Sequence, residues 1–195
     1  MPKNLILISG FAGSGKSSLA DALGKELGIK VIHASSILRE MATKGVKALE
    51  NASPQKIHDW WESAEAKAFM KKRQDDGSLD IALDEKLIKI ADKGDVIMDS
   101  WTMPYLYKEK AFRVWLNASP EVRAKRITGR DNLPYNEILA KIKARDGETK
   151  DLYRRLYKFN MGEDLLGFDL VVDSDGLSQL QVFNKVKSSV KKWKG

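Results

Sequence analysis

The residues best equipped for chemistry stand near the amino end. They read Gly10-Phe11-Ala12-Gly13-Ser14-Gly15-Lys16-Ser17-Ser18, and the first eight fit G-x-x-x-x-G-K-[ST] in full. Three glycines at that spacing let successive backbone N–H groups turn toward an anion without interference from Cβ atoms. The loop runs into a helix start, whose unpaired N–H groups and dipole favour negative charge. Lys16 has the length to reach the β- and γ-phosphates of a nucleoside triphosphate, and the Ser17 hydroxyl suits Mg²⁺. Residues Gly10 to Ser18 are therefore expected to bind a nucleoside triphosphate. A metal there needs an acidic partner at the carboxyl end of another buried strand. Asp99, after Val96-Ile97-Met98, is the preferred candidate, and Asp173, after Leu170-Val171-Val172, competes with it.

The arginines carry the next signal. Arg123, Arg126 and Arg130 fall at i, i+3 and i+7, on one helical face, and Arg145, Arg154 and Arg155 follow. A phosphoryl group in transfer spreads negative charge over its oxygens, and guanidinium groups on a closing segment stabilise that charge while excluding water. Arg123 is the most structural of the set in this reading, and Arg130 the least. Other chemistries are thin: no cysteine is present and only His33 and His58 are available, which leaves no disulfide and no ordinary zinc centre. The N-K-x-D pattern expected of guanine recognition is also missing.

Elements that could position these groups alternate along the 195 residues. Strands are expected at 4–9, 30–34, 95–100, 111–117 and 168–173. Helices are expected at 16–27, 36–44, 45–76, 79–92, from Ser119-Pro120 onward, at 135–156 and at 178–192, with a break at 131–134. In the polar 45–76 stretch, Ser53-Pro54 is a helix-start signal, and Trp60, Trp61 and Phe69 are anchors. The alternation predicts a parallel, three-layer α/β fold in one domain, with helical insertions near 36–76 and 130–160. Hydrophobic residues at 43% allow a core, while no apolar run is long enough for a membrane span. The apolar run Leu5 to Ile8 is too short for a signal-peptide core, so a cytoplasmic location is expected. The net charge of +7 draws polyanions or phosphorylated metabolites without choosing between them. The lysine-rich end, around Val182, Val186 and Val190, reads as an amphipathic helix packed on the sheet rather than a nucleic-acid contact.

The loop, together with Ala34-Ser35-Ser36-Ile37-Leu38-Arg39-Glu40-Met41-Ala42, resembles the nucleoside monophosphate kinase family, most nearly its archaeal cytidylate kinase type. The similarity continues through Asp80-Ile81-Ala82-Leu83-Asp84, Val114-Trp115-Leu116-Asn117-Ala118, Val122 to Ile127 with Arg130, Tyr153, Tyr157 and Phe168 to Val172. It implies a P-loop kinase fold with a five-stranded parallel sheet, a helical insertion for the acceptor and a helical lid. It also implies Mg²⁺-assisted transfer from ATP, held by Gly10 to Ser18, to a nucleoside monophosphate, CMP or dCMP foremost. Lys16, Arg126, Arg130 and Arg145 would be catalytic, with Arg126 and Arg130 in the lid and Arg145 facing the phosphoryl path. Arg39 would clamp the acceptor phosphate, Asp80 and Asp84 would lie near the acceptor nucleoside, and His33, Ser36 and Trp101 would complete that side. Ser17 and Asp99 would hold the metal.

Four positions depart from the pattern. His33 stands for a serine, Ser36 for an aspartate, Trp101 for a phosphate-binding arginine and Leu152 for another arginine. Lys108, Lys110 and Arg113 are candidates for the relocated charge. The departures keep two other readings open: a P-loop kinase for another small acceptor (or a slow regulatory ATPase), and an ATP-switched module that binds RNA or protein.

Overall fold

The computed structural model describes residues 4–43, 68, 71, 73–131 and 134–194. The side chain of Arg130 and the expected anchors Trp60, Trp61 and Phe69 lie outside the described residues, as does most of the helix expected at 45–76. Five strands form one sheet: β1 (Leu5–Ser9), β2 (Lys30–His33), β3 (Val96–Asp99), β4 (Phe112–Asn117) and β5 (Leu170–Asp173), in the order β2-β3-β1-β4-β5. Every pairing is parallel. Helices α1 (Lys16–Leu27), α2 (Ala34–Thr43), α3 (Ser78–Ala91), α4 (Met103–Leu106), α5 (Pro120–Asp131), α6 (Tyr135–Tyr157) and α7 (Gln179–Lys194) connect and cover the strands.

The two-residue period of β1 divides the core. Ile6 and Ile8 face Leu19, Leu23, Val182, Val186 and Val190 of α1 and α7. Leu5 and Leu7 face Leu83, Leu87 and Met103 on the opposite side. A central strand covered on both faces has no solvated side, which is why its sequence is continuously apolar. The valines on the inner face of α7 are buried, as its amphipathic pattern requires, and Ser178 caps that helix by bonding the N–H of Gln181 while Gln181 Oε1 accepts from Ser178 N–H.

Two details differ from the sequence reading. Helix α2 begins at Ala34, directly off β2 and two residues earlier than expected. The one-turn helix α4 was not anticipated, because four residues between a strand and a loop carry no usable helical period.

Neighbouring strands β1 and β3 lead away in opposite directions, β1 through α1 toward β2 and β3 through α4 toward β4. The crevice at their carboxyl ends is where open parallel sheets place ligands. A second scaffold piece closes one side of it. Helical residues 73–76 turn at Gly77 (φ +67°) into α3, where Asp76 Oδ1 accepts from Ser78 N–H and from its hydroxyl. A Cβ on Gly77 would meet the Leu156 side chain at 2.5 Å, so α6 fits tightly against this corner.

Candidate functional site

The Gly10 loop begins at the last residue of β1 and ends at the first turn of α1. Its three glycines all have positive φ, +154°, +81° and +98° at Gly10, Gly13 and Gly15, a backbone that other residues enter only with strain. A Cβ at Gly10 would also stand 2.4 Å from the Leu116 carbonyl oxygen. Sheet register brings the other parts. Asp99 lies opposite Ile8 on one side and His33 on the other, so Asp99 and His33 share a row across three strands. The Ser17 hydroxyl donates to Asp99 Oδ2 at 2.5 Å, and Lys16 Nζ lies 4.0 Å from Asp99 Oδ1. Burial pulls the Lys16 ammonium below its ordinary pKa, and the charge of Asp99 opposes that pull. Burial by itself would raise the Asp99 carboxyl; the His33 bond, the Lys16 charge and the Ser17 bond together hold it below the usual value.

Asp99 Oδ1 is buried without a hydrogen-bond partner among the described residues, an unsatisfied anionic oxygen beside the phosphate loop. With Ser17 Oγ it offers the hard oxygen donors that Mg²⁺ prefers. No cluster of three His, Asp, Glu or Cys able to hold a metal occurs among the described residues, so further ligands at this position would come from phosphate and water. Asp173, the competing candidate, is exposed and caps a turn by accepting from the Asp175 N–H.

His33 sits on this side of the crevice with both ring nitrogens facing carboxylates: Nδ1 is 3.1 Å from Asp99 and Nε2 is 3.1 Å from Asp21. The Asp99 bond raises its pKa. The geometry thus braces Asp99 and leaves His33 no ring nitrogen for an acceptor, contrary to the expectation that it faces one.

The arginines divide by task. Arg123 is buried and donates to the carbonyls of Ala118 and Ala12 and to both oxygens of Asp146, beneath the Phe11 ring. It pins α5 and α6 to the phosphate loop, as its structural reading anticipates. Arg126 departs from its expected place in the lid over ATP: it donates to the carbonyls of Ser14 and Ser174 and to the Ser174 hydroxyl, tying the loop to the end of β5. Arg145 reaches the crevice from α6 and lies 5.3 Å from the centre of the Trp101 ring. The protein packed around its guanidinium and, secondly, repulsion from Arg73 lower its pKa.

On the far side of the crevice, α3 presents two buried carboxylates. Asp80 accepts a two-pronged bond from Arg73, 2.7 Å at each oxygen, and a further bond from the Tyr153 hydroxyl. These bonds outweigh the effect of burial on Arg73 and raise its pKa. Asp84 accepts from the Thr102 hydroxyl at 2.5 Å and the Tyr157 hydroxyl at 2.6 Å. Burial still pushes its carboxyl up to about 6. Trp101 is half-buried, edge-on to Tyr153 with ring centres 6.4 Å apart. Arg39 lies on exposed α2, bonded to the Ser35 carbonyl and the Ser36 hydroxyl, which links two of the expected acceptor residues to each other.

Arg73 is the site residue that sequence reasoning missed. It stands in a polar stretch with no motif around it, and the turn at Gly77 that brings it to Asp80 breaks any helical spacing between them, so no local pattern marked it. The proposed replacements for the missing arginine are elsewhere: Arg113 donates to the carbonyls of Pro104, Ala111, Tyr107 and Glu109, and Lys110 lies over Trp193.

Comparison with known proteins agrees with this geometry. The chain is 34% identical over 176 residues to the cytidylate kinase of Sulfurisphaera tokodaii, covering 89% of this chain and 87% of that one. It is 28% identical over 192 residues to the cytidylate kinase of Pyrococcus horikoshii, covering 97% and 91%. Among solved structures, it superposes on the shikimate kinase of Acinetobacter baumannii with a TM-score of 0.58 at 14% identity, covering 98% and 94% of the two chains. An uncharacterized protein from Eubacterium ventriosum gives a TM-score of 0.60 at 16% identity, covering 97% and 99%. These superpositions speak for the α/β P-loop kinase fold alone. The model of the Cytidylate kinase-like family matches residues 5–176, and the chain therefore belongs to that family.

Proposed function

We propose that this protein is a nucleoside monophosphate kinase that transfers the terminal phosphoryl group of ATP to CMP or dCMP, giving the diphosphate. The observation that carries the reading is the crevice itself. One opening gathers a phosphate loop held in a left-handed glycine backbone, Lys16 beside the unsatisfied Asp99, and Arg145 from α6. The relatives named cytidylate kinase align across nearly the whole chain, which favours this acceptor over another small molecule and over an ATP-switched binding module.

The loop amides of Gly10 to Ser18 would hold the polyphosphate, with Arg126 and Arg123 bracing the loop from behind. Lys16 would follow the β- and γ-phosphates, and Arg145, with Arg130, would meet the charge of the phosphoryl group in transit. Ser17 and Asp99 would hold Mg²⁺, which neutralises phosphate charge when bound, and His33 keeps Asp99 oriented for it. The acceptor phosphate is already anionic at neutral pH, so no side chain must remove a proton. This fits a crevice supplied with cations rather than with a free histidine. Arg39, Ser36, Asp80, Asp84 and Trp101 form the acceptor side, and the segments near 36–76 and 130–160 act as acceptor insertion and lid of one domain. Both substrates are cytoplasmic metabolites. Among the described residues no helix is long and apolar enough to cross a membrane.

The test offers the purified protein ATP, Mg²⁺ and each ribo- and deoxyribonucleoside monophosphate in turn, following diphosphate formation. CMP and dCMP turn over fastest, and Lys16→Ala lowers that turnover by at least ~100-fold. ATP hydrolysis indifferent to every monophosphate would refute the assignment.

A further inference from the structure

We propose that Arg73 grips the phosphate of the acceptor, with Trp101 as the platform that holds Arg73 and Arg145 in place for it. The inference rests on the kinase reading above and assigns the part of that site which grips the acceptor's charge.

Trp101 is fixed at the mouth of the crevice. Its carbonyl accepts from the Ser9 hydroxyl at 2.8 Å, which ties the residue to the end of β1. Three cations gather on its indole: Arg145 at 5.3 Å from the ring centre, and Lys16 and Arg73 each at 5.9 Å. The negative face of an indole attracts each of them. It does not cancel their mutual repulsion, which is felt directly between Arg73 and Arg145. The carboxylates close by are engaged by other groups, Asp80 with Arg73 and Tyr153, and Asp99 through Oδ2 with Ser17 and His33. Arg145 makes no hydrogen bond or ion pair among the described residues; the ring is its partner. Like charges held this way suit a multiply charged anion that enters between them.

Arg73 is prepared for such an anion. Its Nε and Nη2 donate to Asp80, and Nη2 also donates to the Tyr153 hydroxyl. These bonds fix the plane of the guanidinium and leave both N–H groups of Nη1 unused by the described residues. A planar, permanently charged fork oriented by a buried carboxylate is well suited to phosphate oxygens. The anion is the acceptor's phosphate rather than the tail of ATP, because Asp80, which orients Arg73, belongs to α3 and not to the Gly10 loop or α1, whose amides and Lys16 serve the tail. The location also accounts for two departures in the sequence. The arginines expected at 101 and 152 are absent, and Arg73 borders both positions, stacked near Trp101 and bonded to Tyr153 beside Leu152.

The test compares equilibrium binding of CMP, cytidine and ATP to the full chain and to Arg73→Lys, Trp101→Leu and Trp101→Phe, with steady-state turnover of CMP alongside. Arg73→Lys keeps the charge and loses the fork. It weakens CMP binding by about 10- to 100-fold and leaves cytidine and ATP within about twofold, since neither meets Nη1. Trp101→Leu shifts CMP in the same direction by about tenfold, and Trp101→Phe, which keeps a π face, restores most of the loss. Should Arg73→Lys not fold, the Leu and Phe variants at 101 carry the test by themselves. Unchanged CMP affinity in Arg73→Lys, or in Trp101→Leu where Arg73→Lys does not fold, in a protein whose wild type phosphorylates CMP, overturns the inference and leaves the kinase reading standing. Equal weakening of CMP and cytidine also overturns it, since the phosphate would then not be what Arg73 holds. A wild type that phosphorylates no monophosphate removes the kinase reading and this inference with it.

Discussion

Asp84 is a carboxylate the protein holds at a cost, and Asp84→Asn should expose that cost as a gain in stability. The side chain is buried, and burial lifts its pKa from the ordinary 3.8 to about 6 despite bonds from Thr102 and Tyr157. Each factor of ten in proton affinity is worth 1.36 kcal/mol, so ionised Asp84 opposes folding by about 3 kcal/mol at pH 7 to 8. The sign follows from proton counting. Between the unfolded and folded pKa values the native state binds the proton more tightly, so this contribution improves as pH falls through about 6 and is flat above it. An asparagine keeps a carbonyl and an amide for the two hydroxyl partners but carries no charge to desolvate. Urea unfolding at 25 °C should show Asp84→Asn more stable than wild type by up to about 3 kcal/mol at pH 8, falling to about half that at pH 5. Taking the difference between the two proteins cancels the titration of His33, which shifts stability in the same direction. An asparagine variant less stable at pH 8, or an advantage that grows as the solution is acidified, would show that burial does not control this carboxylate. If the function reading holds, the stabilised variant should use its acceptor less well, the usual exchange between stability and a strained site.

Two further substitutions probe the scaffold. Gly10→Ala forces a side chain into a +154° φ with its Cβ 2.4 Å from the Leu116 carbonyl oxygen, and should cost about 1–3 kcal/mol of stability together with most ATP affinity. Thermal melting and nucleotide titration read both effects, and an intact phosphate loop in the variant contradicts the geometry. Arg123→Met strands the Asp146 carboxylate and should destabilise by about 3–5 kcal/mol, whereas Arg123→Met combined with Asp146→Leu should recover much of the loss in denaturant unfolding. A double variant no better than the single one would mean that the carbonyl bonds of Arg123, rather than the ion pair, hold α5 to the loop.

What the sequence determined by itself is what depends on neighbours along the chain. The Gly10 to Ser17 spacing dictates a turn of inward N–H groups, and the apolar runs between helical patterns dictate buried parallel strands. Both were legible because a phosphate cradle and a strand are built from consecutive residues. The preference for Asp99 over Asp173 had only a weak local basis, since both close apolar strands; that β3 pairs with the loop strand and that Asp173 is exposed are facts of the fold. Only the tertiary structure decided the partners across the crevice. His33 meets Asp99 because sheet register places them in one row, 66 positions apart in sequence. Arg73 meets Tyr153, 80 positions away, because α6 folds back on the corner at Gly77. Arg126 turns toward the Ser14 and Ser174 carbonyls instead of a lid, because α5 packs against the loop and the end of β5. Helical and strand periods say which face a residue occupies; what that face meets is set by chain crossings and helix packing, and a single sequence does not encode those partners in any local pattern.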